Sequence, residues 1–290
     1  MPHADWSSFS FDGIGTRWEI STPEALAPAV RQRLLETVGD YDMTYSRFRP
    51  DSLVSGLSRE PGKIILPGHA VALHDVYAVL YRLSGGAMTP LIGSSLERLG
   101  YDPGYTLAPS GDPQPPPRWE DVLEWTDTTL TTTEAVVLDI GAAGKGQLVD
   151  LLGGILQSTG HAEFLVDGSG DMLHAGTDPV VVALEHPYSP GQAIGTVELH
   201  NSALCASASN RRAWGDGLHH VLDGTTGRPI HTTVATWTMA ASALVADAVA
   251  TALFMLEPAQ LQDEFDFSWL RVSSSGAATF SHRFEGRLFT

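Results

Sequence analysis

Asp247 is the one charged residue in MAASALVADAVATALFML, residues 239–256, and Thr251 lies four positions further on. A run that is apolar or small at nearly every position reads as a helix buried on most faces. At helical spacing the carboxyl and the hydroxyl share one face, one turn apart. A buried carboxylate without a partner is costly, so this one demands a partner. Two kinds suit it: a neighbouring backbone end or arginine, or a hard cation. Mg2+ takes oxygen donors and keeps positions open for phosphate oxygens.

Three further stretches could carry chemistry. LDIGAAGKGQLVD, residues 138–150, turns through glycines into a helical pattern and presents Lys145. It is not a Walker A loop, which needs four residues between its glycine and Gly-Lys, then Ser or Thr. Backbone N–H groups and a lysine at such a turn still suit an anion; the alternative is a tight turn with a solvated lysine. VDGSGDMLHAG, residues 166–176, lacks the spacing of a Rossmann phosphate loop, and Asp171 reads as a turn former there. LHHVLDGTTGRP, residues 218–229, sets His219 and His220 ahead of Asp223 and a polar turn. Neighbours in a strand face opposite ways, so only one imidazole can enter a shared pocket. A histidine titrating near neutrality can act as a general base or stabilise charge.

The elements that must position these groups alternate without a regular βαβ rhythm. GIGTRWEI, residues 13–20, reads as a strand. A long amphipathic helix follows, with Thr22 as its cap and Pro23 in its first turn. A second helix covers residues 68–86 and closes at Gly85 and Gly86. Residues 102–118 are rich in Pro and Gly and read as an irregular surface loop. Residues 133–160 read as strand, glycine turn and helix, and residues 266–290 as a closing hairpin. The expected class is α+β, with mixed or antiparallel sheets and flanking helices, in one domain over residues 1–290.

Composition narrows the partners. The chain has 34 acidic against 17 basic residues, a net charge of −17. Such a surface repels phosphate backbones and anionic lipid, so nucleic acid and membrane surfaces are poor partners. A single cysteine leaves no internal disulfide and no cysteine-rich zinc site. The first residues carry no basic and apolar leader pattern, and no apolar run reaches the length of a bilayer span. The expected setting is soluble and cytoplasmic.

In order along the chain, these pieces resemble the ApbE family of FAD:protein FMN transferases. GTRW (15–18) looks like the family's opening strand. DMTYSRFRPDS (42–52) looks like its D-x-x-x-S…P-D-S segment. GAMTPLIG (86–93) stands in the place of G-x-F-D-P-T-V-G. LDIGAAGKGQLVD is similar to L-D-L-G-G-I-A-K-G-x-x-x-D, with Lys145, Gly146 and Asp150 intact. HVLDGTTG (220–227) looks like H-I-I-D-P-R-T-G and selects His220 over His219. ADAVATALF (246–254) is similar to A-D-A-L-A-T-A-L, whose Asp and Thr hold a divalent metal. The chain departs from the pattern at Thr89 (Asp in the family), Leu91 (Thr), Asp167 (Asn), Ser169 (Gly), Gly224 (Pro), Ser58 (Asn) and CASASN, residues 205–210.

The resemblance implies a T-fold-like α+β architecture. It implies a reaction in which FAD is split at its pyrophosphate, FMN passes to a Thr or Ser hydroxyl of an acceptor flavoprotein, and AMP leaves. Mg2+ would sit on Asp247, Thr251 and a backbone carbonyl of residues 142–144, with Ala143 at the centre of that range. Lys145 would offset phosphate charge. His220 would take the acceptor's proton or stabilise the transferring phosphate, and Asp223 would orient it or build the turn. Ser46, Ser52, Met88, Lys145 and Asp171 would line the flavin and adenosine pocket. Two other readings remain: an FAD-binding protein without transfer, and an Mg2+-dependent FAD pyrophosphatase yielding FMN and AMP.

Overall fold

Alternating exposure along SSFSFDG, paired with the more deeply buried TRWEIST, folds the first described residues into a hairpin. Strands Ser7–Gly13 and Thr16–Thr22 pair antiparallel around Ile14 and Gly15, whose φ values of 43° and 75° make the two-residue turn that matches strand twist. The expected single strand over residues 13–20 is thus two strands, broken at this turn. The computed structural model describes residues 5–189 and 191–289.

This hairpin edges an eight-stranded sheet. The order continues through Phe164–Asp167, Met172–Ala175, Ala203–Ala208, Thr233–Ala240, Phe267–Ser273 and Ala278–Phe280. Every neighbouring pair is antiparallel, so the expectation of mixed or antiparallel sheets resolves to antiparallel. Helices Pro28–Tyr45, Ala70–Leu83, Gly144–Ser158 and Ala243–Ala252 supply the larger core on one face, where Trp18, Leu34, Leu73, Leu148, Phe164 and Val249 meet. On the other face a three-stranded sheet, Val180–Glu185, Ala193–Leu199 and Gly286–Leu288, covers Leu165, Leu204, Trp237 and Leu270. Helices therefore flank an α+β fold, as the sequence indicates. No helix among the described residues is long and apolar enough to cross a membrane.

Four boundaries differ from the sequence reading, each for a physical reason. The first helix begins at Pro28 with Ala27 as its cap. Thr22 instead ends a strand, held in register with Ser7, and its hydroxyl donates to the Glu24 carbonyl. Residues 135–140 join no ladder: Val136 N–H donates to the carbonyl of Leu57 and Asp139 N–H to that of Pro90, which lie in two separate short 3-10 helices. Met239 and Ala240 close the strand Thr233–Ala240, and the helix starts at Ala243 with the Ser242 side chain accepting from Val245 N–H. The tail makes only half of the expected hairpin. Phe267–Ser273 pairs with Ala278–Phe280, but Gly286–Leu288 crosses to the small sheet. The loop of residues 102–118 holds no helix or strand.

Candidate functional site

Two helices cross at the centre of the site because one residue there has no side chain. A Cβ on Gly146 would lie 2.1 Å from the Ala243 carbonyl oxygen and 2.7 Å from Asp247 Cβ. That close approach lets Gly146 N–H donate to Asp247 Oδ2 at 2.9 Å. One turn on, Asp150 accepts from Ala243 N–H at 2.8 Å and Leu244 N–H at 2.9 Å. The carboxylate thereby caps the helix that carries Asp247 and Thr251. Gly146→Ala is expected to cost about 1–3 kcal/mol or more by overpacking, read as a lowered Tm with the far-ultraviolet spectrum retained.

Asp247 is 5% exposed. Burial, and then the Asp171 charge, push its carboxyl well above the usual carboxylate range, against the pull of Lys145 and the Gly146 N–H. Thr251 Oγ1 lies 3.1 Å from Ser207 Oγ. Lys145 Nζ lies 3.2 Å from Asp171 Oδ2 and donates to the Gly168 carbonyl at 2.9 Å. Burial works against the Lys145 charge, but Asp171 and Asp247 outweigh it and hold the ammonium above its ordinary pKa. The turn that supplies Gly168 contains Ser169 at φ 59°, a conformation that favours glycine, with its hydroxyl donating to Arg17 O.

Asp247, Thr251, Lys145, Asp171, Met88 and His220 all line one cavity of about 430 Å³. His219 is outside it: the strand Leu218–His219 ends there, the chain bends at His220, and the His219 ring stands edge-on to His231 at 5.4 Å. Burial pushes His219 down to about 4. Desolvation, then the Arg212 charge, push His220 down to about 3, so its ring is neutral near neutral pH. Both histidines lose a proton more readily in the fold than at the ordinary 6.5. Below that pH the unfolded chain binds the extra protons, so this stability is whole above 6.5 and is lost as pH falls toward 4 and 3. The Tm is expected to fall between about pH 7 and pH 5, and His219→Phe is expected to make the fall shallower.

Several of the residues singled out in the sequence sit elsewhere. Asp223 lines neither this cavity nor its neighbour. Its Oδ1 accepts from Thr225 N–H and its carbonyl from Gly227 N–H, both at 2.7 Å, so it builds the turn. Ala143 is fully buried, with its carbonyl accepting from Gln147 N–H at 3.1 Å; Ala142 lines the cavity instead. Ser52 is buried, and its hydroxyl donates to Ser46 O at 2.6 Å; Ser46 is the one that reaches a cavity wall. Gly224 leaves no room for a Cβ, which would meet Gly86 O at 2.7 Å and Thr89 Cγ2 at 2.8 Å. Its N–H donates to Ala87 O at 2.8 Å, a bond that a proline cannot make.

A second cavity of about 530 Å³ adjoins the first. Tyr45, Phe48, Tyr101, Tyr105 and Trp214 line it, Tyr105 coming from the Pro/Gly-rich loop. Phe48 stacks on Tyr105 at 5.2 Å, and Tyr101 on Trp214 at 5.6 Å. Trp214 Nε1 is tied to Leu99 O at 2.8 Å. Lys145, Arg212, Asp139 and Gly141 belong to both walls. The aromatic cavity and Arg212 are absent from the sequence reading. The adjacent pair Arg211 and Arg212, in a chain so short of cations, is the one sequence signal that could have led there.

Fold and site define an antiparallel α+β protein with a polar, acid-bearing cavity joined to an aromatic one. The chain belongs to the ApbE family, whose model matches residues 14–266. A FAD:protein FMN transferase of Escherichia coli K12 is 30% identical over 135 residues, 43% of this chain and 38% of that protein. The match therefore spans well under half the length of that relative. A protein of the same name from Treponema pallidum is 26% identical over 268 residues, 81% of this chain and 73% of its own. The crystal structure of the ApbE protein from Thermotoga maritima shares the fold with a TM-score of 0.84 at 20% identity, covering 97% of this chain and 99% of that one.

Proposed function

We propose that this chain is an Mg2+-dependent FAD:protein FMN transferase. In the reaction, an acceptor Thr or Ser hydroxyl oxygen forms a bond to the FMN phosphorus. The pyrophosphate bond breaks, and AMP leaves with the bonding electrons. The observation that carries the reading is the convergence of Asp247, Thr251, Lys145 and His220 on one cavity that opens onto an aromatic one. Family membership supports it.

The donor set suits Mg2+. No group of three or more His, Cys, Asp or Glu able to hold a metal occurs among the described residues. A cation here would rest on hard oxygens: the Asp247 carboxylate, the Thr251 hydroxyl and a carbonyl of residues 142–144. Mg2+ is content with one or two carboxylates and otherwise takes water and phosphate oxygens. The raised carboxyl of Asp247 marks a charge that lacks full compensation, which a cation supplies. When bound, Mg2+ polarises phosphate oxygens and neutralises charge developing on them.

The chain's own groups do the rest. Lys145, fixed by Asp171 and Gly168 O, places a permanent positive charge at the wall common to both cavities. His220 lines the first cavity with a ring that burial keeps neutral. A neutral imidazole has one bare nitrogen, and that nitrogen accepts the proton of the attacking hydroxyl. Met88 and Asp171 border the ligand in the first cavity and Ser46 in the second, with Ser52 holding the Ser46 backbone.

The test is a count of products. The protein is incubated with FAD, Mg2+ and a candidate acceptor flavoprotein, and AMP, free FMN and acceptor-bound flavin are quantified. AMP equal to acceptor-bound flavin, abolished by chelator, supports transfer. AMP equal to free FMN would replace transfer with hydrolysis, and bound FAD without AMP would make the chain a carrier.

A further inference from the structure

Among the described residues, three charged side chains belong to both cavity walls: Asp139, Lys145 and Arg212. Two of them are committed inside the protein. Asp139 accepts from Arg47 Nε at 2.6 Å and from Gly141 N–H at 2.7 Å. Lys145 is held by Asp171 and Gly168 O. Arg212 is different. It ends the turn Ser209–Arg212, is exposed, and pairs with no carboxylate among the described residues. Its neighbour Arg211, by contrast, is paired with Glu185.

The junction of the two cavities thus carries one uncommitted guanidinium, in a chain of net charge −17. Its position is supported from below. The Arg212 guanidinium carbon lies 5.9 Å over the Tyr101 ring, and Tyr101 rests on Trp214. Its charge also acts on Asp139, which belongs to both walls, and on His220 and Asp247 of the first. A ligand filling both cavities would place its middle at this point. A diphosphate flanked by two planar ring systems is a molecule of that form. Guanidinium presents a fork of donors that matches phosphate oxygens two at a time.

We infer that Arg212 is a specificity-determining residue that binds the central diphosphate of a dinucleotide, and so makes the site select FAD over flavins that lack the diphosphate. The inference rests on the proposed flavin reading and adds the residue that reads the linkage.

The experiment measures binding of FAD, FMN and riboflavin to the whole protein, by flavin fluorescence and calorimetry, for the native chain and for Arg212→Ala and Arg212→Lys. ADP serves as a flavin-free diphosphate competitor. The native chain is expected to prefer FAD. Arg212→Ala is expected to weaken FAD and ADP by roughly 10- to 100-fold, the range of a hydrogen bond to a charged group. Riboflavin binding and Tm are expected to be unchanged, so the preference for FAD collapses, and Arg212→Lys is expected to restore part of it. A loss equal for FAD and riboflavin, or no loss at all, would overturn the role of Arg212 and leave the flavin reading standing. A native chain that binds none of the three flavins would remove both.

Discussion

Asp247→Asn is expected to lower FMN transfer by roughly a thousandfold, the equivalent of the several kcal/mol that a metal contributes to charge stabilisation. The substitution keeps the size of the side chain and keeps an oxygen able to accept from Gly146 N–H. The crossing of the two helices is therefore expected to survive. The stability effect should even run the other way. A carboxyl whose pKa is raised in the fold favours folding below its unfolded pKa, and that gain is lost as pH rises through the folded value. Near neutral pH, without a cation, a carboxyl that folding must either desolvate as a charge or protonate opposes folding, and Asn removes that opposition. The metal-free variant is expected to melt at or above the native temperature. Added Mg2+ is expected to raise the Tm of the native chain, since a ligand that binds only the folded state stabilises it, and to leave the variant unmoved. Differential scanning calorimetry with and without chelator reads both effects. A variant as active as the native chain, or one whose Tm still responds to Mg2+, would show that Asp247 does not hold the cation.

His220→Ala is expected to lower transfer by about 10²–10⁴-fold, the usual contribution of a positioned general base, with FAD affinity little changed. The neutral ring explains the expected pH behaviour. With its pKa pushed down to about 3, His220 is ready to accept a proton throughout the neutral range. The kcat/KM of the native chain is expected to show no limb attributable to this imidazole between about pH 6 and pH 8. The limb belongs on the acid side, where the ring gains a proton and activity falls. A transfer rate that rises as pH falls from 8 to 6 would instead make the protonated imidazole the active form, and His220 a stabiliser of phosphate charge.

Much of this site was legible because it is carried by strong local patterns. A lone acid in an otherwise apolar run marks a buried helix with a functional or capping carboxyl, and that helix lies where the pattern puts it. Its start is displaced because Met239 and Ala240, which end the buried strand Thr233–Ala240, are as apolar as the helix that follows. Alternation predicted that His219 and His220 would part company, and they do. The glycine of the Lys-Gly pair was visible, but its reason was not: only the crossing helices show that a Cβ would meet Ala243. The departures at Thr89 and Gly224 looked independent in the sequence, yet the two residues touch. The aromatic cavity was illegible for a different reason. Tyr45, Phe48, Tyr101, Tyr105 and Trp214 come from separate segments, and no period links them. Arg212 escaped notice for the same cause, since only the fold brings it to the cavity walls it shares with Lys145.

Intact-mass spectrometry of an acceptor flavoprotein tests the central claim most directly. The acceptor is incubated with FAD, Mg2+ and either the native chain or Asp247→Asn. The account predicts that the acceptor gains the mass of one FMN residue with the native chain, and stays unchanged with the variant or with chelator present. An acceptor that gains the same mass with the variant would contradict it, as would an acceptor left unmodified while AMP and free FMN accumulate.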